Sequence, residues 1–252
     1  MTGPATRLRV DGRLAELTWS RPERRNAIGA ELCAGLIEAL RSLASWDDVD
    51  VVLLRAQTPP FCAGWDTTDF AGLRGASRAE VTAFFGPGRE LLAALGELPQ
   101  VTVAAPAGAA LGFGCALLAR CDLVVAADDC VFGLPEIGLG MPPATVLPEL
   151  LGVLPGRAAL RWAVTGELVP AGRAMADGLV TSVVPAGEHE DEVARLAERL
   201  CGFAPGAVRA TKDLTRRMLA APDHHERVRI GVAAAIERFL GGDAGGGRKE
   251  NT

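Results

Sequence analysis

Residues 103–140 read VAAPAGAALGFGCALLARCDLVVAADDCVFGLPEIGLG, and the order of apolar runs and glycines in them decides the fold. An apolar run, Val101 to Ala105, leads into a turn broken by Gly108, Gly112 and Gly114, and a short helix of small residues, Cys115 to Arg120, follows. A second apolar run spans Leu123 to Ala127, and a hairpin-like return then carries one acid, Glu136, through an otherwise neutral segment. Glycine tolerates backbone dihedrals closed to other residues, so such a turn lets the main chain approach a ligand closely. A helix that starts there leaves its first N–H groups unpaired and facing outward, where they can receive an anion. The stretch therefore offers backbone donors and one carboxylate.

Upstream, Arg7 to Val10 and Leu14 to Trp19 flank Asp11-Gly12, a hairpin signal. Pro22 and the Arg24-Arg25-Asn26 cluster form a loop, and Leu32, Leu36, Ile37, Leu40 and Leu43 then repeat at helical period. The run DVVLLR, Asp50 to Arg55, has the length of a strand buried on both faces, and strand–helix–strand implies a right-handed crossover. A loop with two prolines, Ala56 to Trp65, reaches Asp66-Thr67-Thr68-Asp69, residue types that cap a short helix. Residues 78–97 form an amphipathic helix.

Downstream of Glu136 the pattern predicts three short helical segments, Thr145 to Leu151, Gly156 to Val164 and Pro170 to Ala176, and a last strand, Leu179 to Val184. Beyond residue 187 it is wholly helical: His189 to Leu200, Pro205 to Leu219 and Asp223 to Leu240. The organisation expected is an α/β core over 1–190, a helical trimerisation or lid region over 191–240, and a Gly-rich disordered tail over 241–252.

Composition bounds the partners. With 252 residues, 49% of them hydrophobic, the chain can bury a substantial core. A net charge of −5 without a dense basic run argues against nucleic acid or an anionic membrane as partner. The six cysteines show no CxxC spacing, so reduced thiols are expected in place of a disulfide framework or metal site. No signal-peptide core and no span-length apolar window is present, which predicts a soluble cytoplasmic protein.

Four motifs in order, PERRNAI, PFCAGWD, the Gly108 to Asp122 block and FGLPEIGLG, resemble the crotonase family of enoyl-CoA hydratases and isomerases over residues 7 to about 220. The resemblance implies a crotonase-like ββα superhelix with a C-terminal helical region, assembled as a trimer or hexamer. It implies an acyl-CoA thioester as substrate, with coenzyme A part of that substrate and no separate cofactor or metal. Two backbone N–H groups, matching Trp65 and Phe113 of Gly112-Phe113-Gly114, would polarise the thioester carbonyl so that an enolate forms when the α-proton leaves. Removing one such donor typically costs about 3 kcal/mol of transition-state stabilisation. Arg24 and Ala27 match a loop that contacts the CoA nucleotide; Ala63, Asp66 and Thr67 match the path of adenine and pantetheine. Gly112, Pro135 and Leu139, beside the acid, are expected to contact the substrate, and Lys212 resembles a C-terminal lysine that reaches a CoA phosphate in some members, often from a neighbouring subunit.

The acids depart from the hydratase pattern. Hydratases of the family pair a glutamate on the helix after the Gly turn with one in the PEI segment; here the second is Glu136, but the first position is Ala116. A single carboxylate can take a proton from one carbon and return it to another, and in this the chain is similar to the Δ3,Δ2-enoyl-CoA isomerases. The absence of tyrosine disfavours family branches that use a phenol, and Ala144 stands where dehalogenase-like and dienoyl-isomerase relatives carry an acid. Cys62 and Cys115 have no histidine in their motifs to activate them as nucleophiles. Three readings stay open: an isomerase acting through Glu136, a hydratase or lyase in which Glu90, Glu97 or Asp69 replaces the missing acid, and a non-catalytic acyl-CoA binding or assembly subunit.

Overall fold

The computed structural model describes residues 5–73 and 75–240. Gly12, at φ 56°, makes the turn between β1 (Thr6–Asp11) and β2 (Leu14–Trp19), which pair antiparallel. Helix α1 (Ala30–Ala44) buries Leu32, Leu36, Leu40 and Leu43 along one face, then β3 (Val51–Ala56) lies parallel to β2. Helix α2 (Arg78–Glu97) begins with a capping box: Ser77 accepts from the Glu80 N–H, and the Glu80 carboxylate accepts from the Ser77 N–H. Next come β4 (Val101–Ala104), β5 (Ala109–Leu111), α3 (Phe113–Ala119), β6 (Leu123–Ala127) and β7 (Val131–Gly133). They are followed by α4 (Leu147–Leu150), α5 (Gly156–Thr165), β8 (Val169–Pro170), α6 (Ala171–Asp177) and β9 (Ser182–Val184). Three helices close the described chain: α7 (His189–Cys201), α8 (Ala207–Ala220) and α9 (His224–Leu240).

The strands form two sheets, one ordered β1-β2-β3-β4-β6-β9 and parallel from β2 onward, the other ordered β5-β7-β8. A strand of the large sheet, a short strand of the small sheet and a helix follow one another in β4-β5-α3, and β6-β7 begins the next turn. This is the ββα superhelix implied by the four motifs. Alternation along the large sheet explains its continuous apolar runs. Val52, Leu54, Ala104, Val124 and Ala126 enter the main core, while Val51, Leu53, Val103, Ala105 and Val125 pack with Val193, Leu196 and Leu200 of α7 on the other face. Fully burying each valine or leucine among them is worth about 1.5–3 kcal/mol.

Several expectations shift against this frame. The boundary placed at 190/191 falls inside α7, which covers one face of the large sheet and so belongs to the core layers. The glycine-broken turn contains a strand, β5, and the return at Val131 is not a hairpin with β6: β7 joins the small sheet, parallel to β5. Helix α3 starts at Phe113, two residues before the apolar pattern suggested, because Gly112 at φ 49° turns the chain directly into the helix. The last strand begins at Ser182, since the N–H groups of Leu179 and Val180 return to the Ala174 carbonyl to close α6 at Gly178. The tail over 241–252, expected to be disordered, lies outside the described residues.

Candidate active site

Two short bridges fix the loop that carries Trp65. The Cys62 N–H donates to the Ala109 carbonyl at 3.1 Å and the Leu111 N–H to the Cys62 carbonyl at 2.9 Å, tying the loop to β5. The Ile28 N–H donates to the Gly64 carbonyl and the Asp66 N–H to the Ile28 carbonyl, both at 2.8 Å. In a parallel bridge of this kind the residues on either side of Trp65 make the bonds, so the Trp65 N–H faces away and has no acceptor among the described residues. Phe113 is the first residue of α3, whose N–H no helix satisfies internally. The Gly112 N–H is held by the Gly133 carbonyl at 2.9 Å. A Cβ on Gly64, at φ 106°, would lie 3.2 Å from the Leu111 oxygen and 3.9 Å from the Phe113 nitrogen, so the two main chains run side by side. Trp65 and Phe113 thus present two free N–H groups from adjacent, anchored backbones, the arrangement an oxyanion requires.

The PERRNAI loop is the brace behind this. Asn26, fully buried at φ 55°, donates through Nδ2 to the carbonyls of Thr58 and Pro60 and accepts the Arg21 N–H on Oδ1. Arg21 also donates to the Ala27 carbonyl and pairs with Asp66 at 3.2 Å.

A cavity of about 550 Å³ opens beside the two N–H groups. Of the residues predicted from sequence, Ala63, Trp65, Thr67, Gly112, Phe113, Pro135, Glu136 and Leu139 line it. The Trp65 and Phe113 rings meet edge to face at 5.1 Å, against Gly88 of α2, where a Cβ would stand 2.9 Å from the indole. They shape the wall and leave the cavity open.

Glu136 sits in a 3-10 turn, Pro135–Leu139, opened by Pro135 and closed by Gly140 at φ 75°. Its Oε1 would touch a Cβ on Gly112 at 2.6 Å, and its buried Oε2 has no hydrogen-bond partner among the described residues. Burial raises its pKa above the ordinary carboxylate value, against a smaller lowering by its own backbone N–H. The sequence neighbours supply only part of that burial: Phe132 and Leu134 are in the core, but Ile137 and Leu139 are exposed. Geometry therefore places one poised carboxylate beside two backbone donors.

The other candidates lie elsewhere. Lys212 does not reach the cavity: it is buried, donating to Asp122 at 2.5 Å and to the Gln100 carbonyl at 2.6 Å, because α8 packs its lysine against the start of β4. Arg24 is exposed, and Ala27 and Asp66 are buried in the brace, so none of the three lines the cavity. Asp66 is held below the usual carboxylate range by Thr68 and Arg21, which outweigh its burial. None of Glu90, Glu97 and Asp69 lines the cavity; Glu90 pairs with Arg41 at 2.6 Å. Ala116 is fully buried inside α3 and is not part of the wall. Burial pushes the Cys62 thiol up to about 12 and the Cys115 thiol higher still, which removes both as nucleophiles.

Sequence reasoning missed three charged residues that line the cavity, the exposed Arg89 and the part-buried Arg120 and Glu149. For Arg120 and Glu149 the available signal was one charge in each of two otherwise uncharged segments, GCALLAR and TVLPELL.

Comparison with known proteins supports the fold. The family described as enoyl-CoA hydratase/isomerase matches residues 9–233. A probable enoyl-CoA hydratase of Mycobacterium tuberculosis is 32% identical over 208 residues, covering 82% of this chain and 79% of its own. The mitochondrial enoyl-CoA hydratase domain-containing protein 3 of Rattus norvegicus is 30% identical over 203 residues, 81% of this chain and 67% of that protein. Among solved structures, an enoyl-CoA hydratase of Mycobacterium smegmatis superposes with a TM-score of 0.86 at 29% identity, covering 94% of this chain and 96% of the other. An enoyl-CoA hydratase/isomerase of Marinobacter aquaeolei gives a TM-score of 0.85 at 27% identity, over 96% and 93% of the two chains.

Proposed function

Because the chain belongs to the enoyl-CoA hydratase/isomerase family, we propose that it binds an acyl-CoA thioester, stabilises its enolate on the Trp65 and Phe113 N–H groups, and shifts a double bond with Glu136. The observation that supports this reading is Glu136 against Gly112 beside the free donors, with the cavity's other carboxylate, Glu149, paired to Arg120 and Ala116 buried where hydratases keep a second acid. In a 3-enoyl thioester Glu136 takes the α-proton, and charge flows through the conjugated dienolate onto the thioester oxygen. The same Glu136 then returns that proton to the γ-carbon, giving the 2-enoyl isomer with no net proton change. The first turn of α3 adds a positive dipole end to the field on the oxygen.

The names of the relatives favour a second reading, hydration of the 2-enoyl thioester. That reaction needs a second group to hold and activate water. Incubating the protein with 3-enoyl-CoA and 2-enoyl-CoA and following the products by mass separates the two: isomer without water adduct supports the first, water adduct from 2-enoyl-CoA the second, and neither product supports a binding subunit.

Assembly as a trimer or hexamer belongs to the same proposal. Helix α9 packs on α8 and leaves Val228, Val232, Ile236, Phe239 and Leu240 exposed, an apolar stripe that calls for a partner surface. A cytoplasmic site of action fits the six cysteines, all free thiols.

A further inference from the structure

We propose that the cavity selects a medium-length acyl group bearing a neutral polar function at its far end, a hydroxyl or an amide, read by Arg120 and Glu149 together. This inference rests on the acyl-CoA reading above and adds the class of acyl group.

Position comes first. Phe113, which carries one of the two carbonyl-polarising N–H groups, opens α3, and Arg120 caps its other end. Seven residues at the helical rise separate them by about 10 Å along the axis. Both residues line the same cavity, so it extends along α3 from the reacting carbonyl to the guanidinium. The wall is largely apolar, with Phe85, Leu92, Ala93, Val146 and Pro148 among its residues. The other charged side chains of the wall are Glu136 and the exposed Arg89.

Arg120 is seated with care. Its Nε donates to the Leu92 carbonyl of α2 at 3.1 Å, and the guanidinium packs against Gly96, where a Cβ would stand 1.8 Å from Nη2. Its partner Glu149 comes from α4, with Nη1 and Oε2 3.5 Å apart. That distance is an ion pair beyond the 2.7–2.9 Å or so of a charge-assisted hydrogen bond. Guanidinium donors and carboxylate acceptor sites therefore remain for an occupant.

Charge decides which occupant. The pair is neutral overall, so an added carboxylate would face Glu149 and an added ammonium would face Arg120. An unsubstituted methyl end would strip water from both charged groups and replace none of their hydrogen bonds. A hydroxyl or amide accepts from Arg120 and donates to Glu149, satisfying both. In apolar ligand cavities a few convergent polar groups of this sort set orientation and selectivity.

The test uses the full chain and three saturated thioesters of equal length: octanoyl-CoA, ω-hydroxyoctanoyl-CoA and the mono-CoA thioester of octanedioic acid, titrated by calorimetry. The expected result is that the ω-hydroxy ester binds at least ~10-fold more tightly than octanoyl-CoA, as hydrogen bonds to charged groups warrant. Arg120→Met should abolish this preference while octanoyl-CoA still binds. Glu149→Gln, which leaves the guanidinium without its counter-charge, should move the preference to the dicarboxylic ester. Equal or tighter binding of octanoyl-CoA by the wild type would overturn the inference, and so would a wild-type preference for the carboxylate. If none of the three esters binds, the acyl-CoA reading itself fails and takes this one with it.

Discussion

Gly112→Ala perturbs the site at one atom. Gly112 has φ 49° and ψ −116°, outside the regions open to alanine, and its N–H is fixed to the Gly133 carbonyl, so the backbone cannot relax freely. The strain costs about 1–3 kcal/mol of stability. The new methyl would stand 2.6 Å from Glu136 Oε1, where ordinary contact begins at 3.4 Å, so the carboxylate must retreat by about 0.8 Å. Misplacing a reacting group by that much costs on the order of 100-fold in rate. The assay is α-proton exchange of a saturated acyl-CoA in deuterated water, with binding of the same ester measured in parallel. Turnover should fall about 100-fold while affinity changes little. Gly138→Ala is the control: it lies in the same 3-10 turn, at ordinary φ, and a Cβ there meets nothing within 4 Å. Exchange by Gly112→Ala at the wild-type rate would refute the proposed role of Glu136 beside Gly112.

Four further outcomes are expected. Glu136 must be ionised to act as a base and its pKa is raised, so kcat/KM should climb with pH through a value above the ordinary 4.5 and level off beyond it. A raised carboxyl pKa also means that folded-state stability falls as pH rises from the unfolded value through the folded one; Glu136→Gln should therefore raise Tm at neutral pH, with the gain disappearing toward pH 4.5. Ala116→Glu should not create a hydratase: it forces a carboxylate into a fully buried position of α3 and should cost roughly 3–5 kcal/mol, read as a lower chemical denaturation midpoint. Light scattering at micromolar concentration should give a trimer or hexamer, and Val232→Asp on the exposed stripe of α9 should shift that mass toward the monomer; a monomeric wild type would remove the assembly proposal.

Most of the frame was legible because its signals are local. The unbroken apolar run in DVVLLR, helical period in residues 30–44 and 189–240, and Gly12 between two strands each state an element in a few residues. Short elements of the small sheet were not legible: Ala109–Leu111 and Val169–Pro170 become strands only because β7 lies between them, a contact no window of sequence contains. That Trp65, Phe113 and Glu136 would line one cavity followed from motifs in which main-chain geometry is set by glycines nearby. Lys212 lies outside that cavity: whether a helical lysine meets solvent or the part-buried Asp122 depends on how α8 docks on β4. Arg120 and Glu149 escaped for the same reason: their meeting is a matter of α3 packing on α4.

The central claim is that Glu136 alone moves the proton beside the two N–H groups. Glu136→Gln keeps the shape of the side chain and removes the base. Measured side by side in deuterated water, the wild type should exchange the α-proton of a bound saturated acyl-CoA, and Glu136→Gln should bind the ester equally well yet exchange it about 100- to 10,000-fold more slowly. Equal exchange by the two proteins would contradict the account and put the base elsewhere.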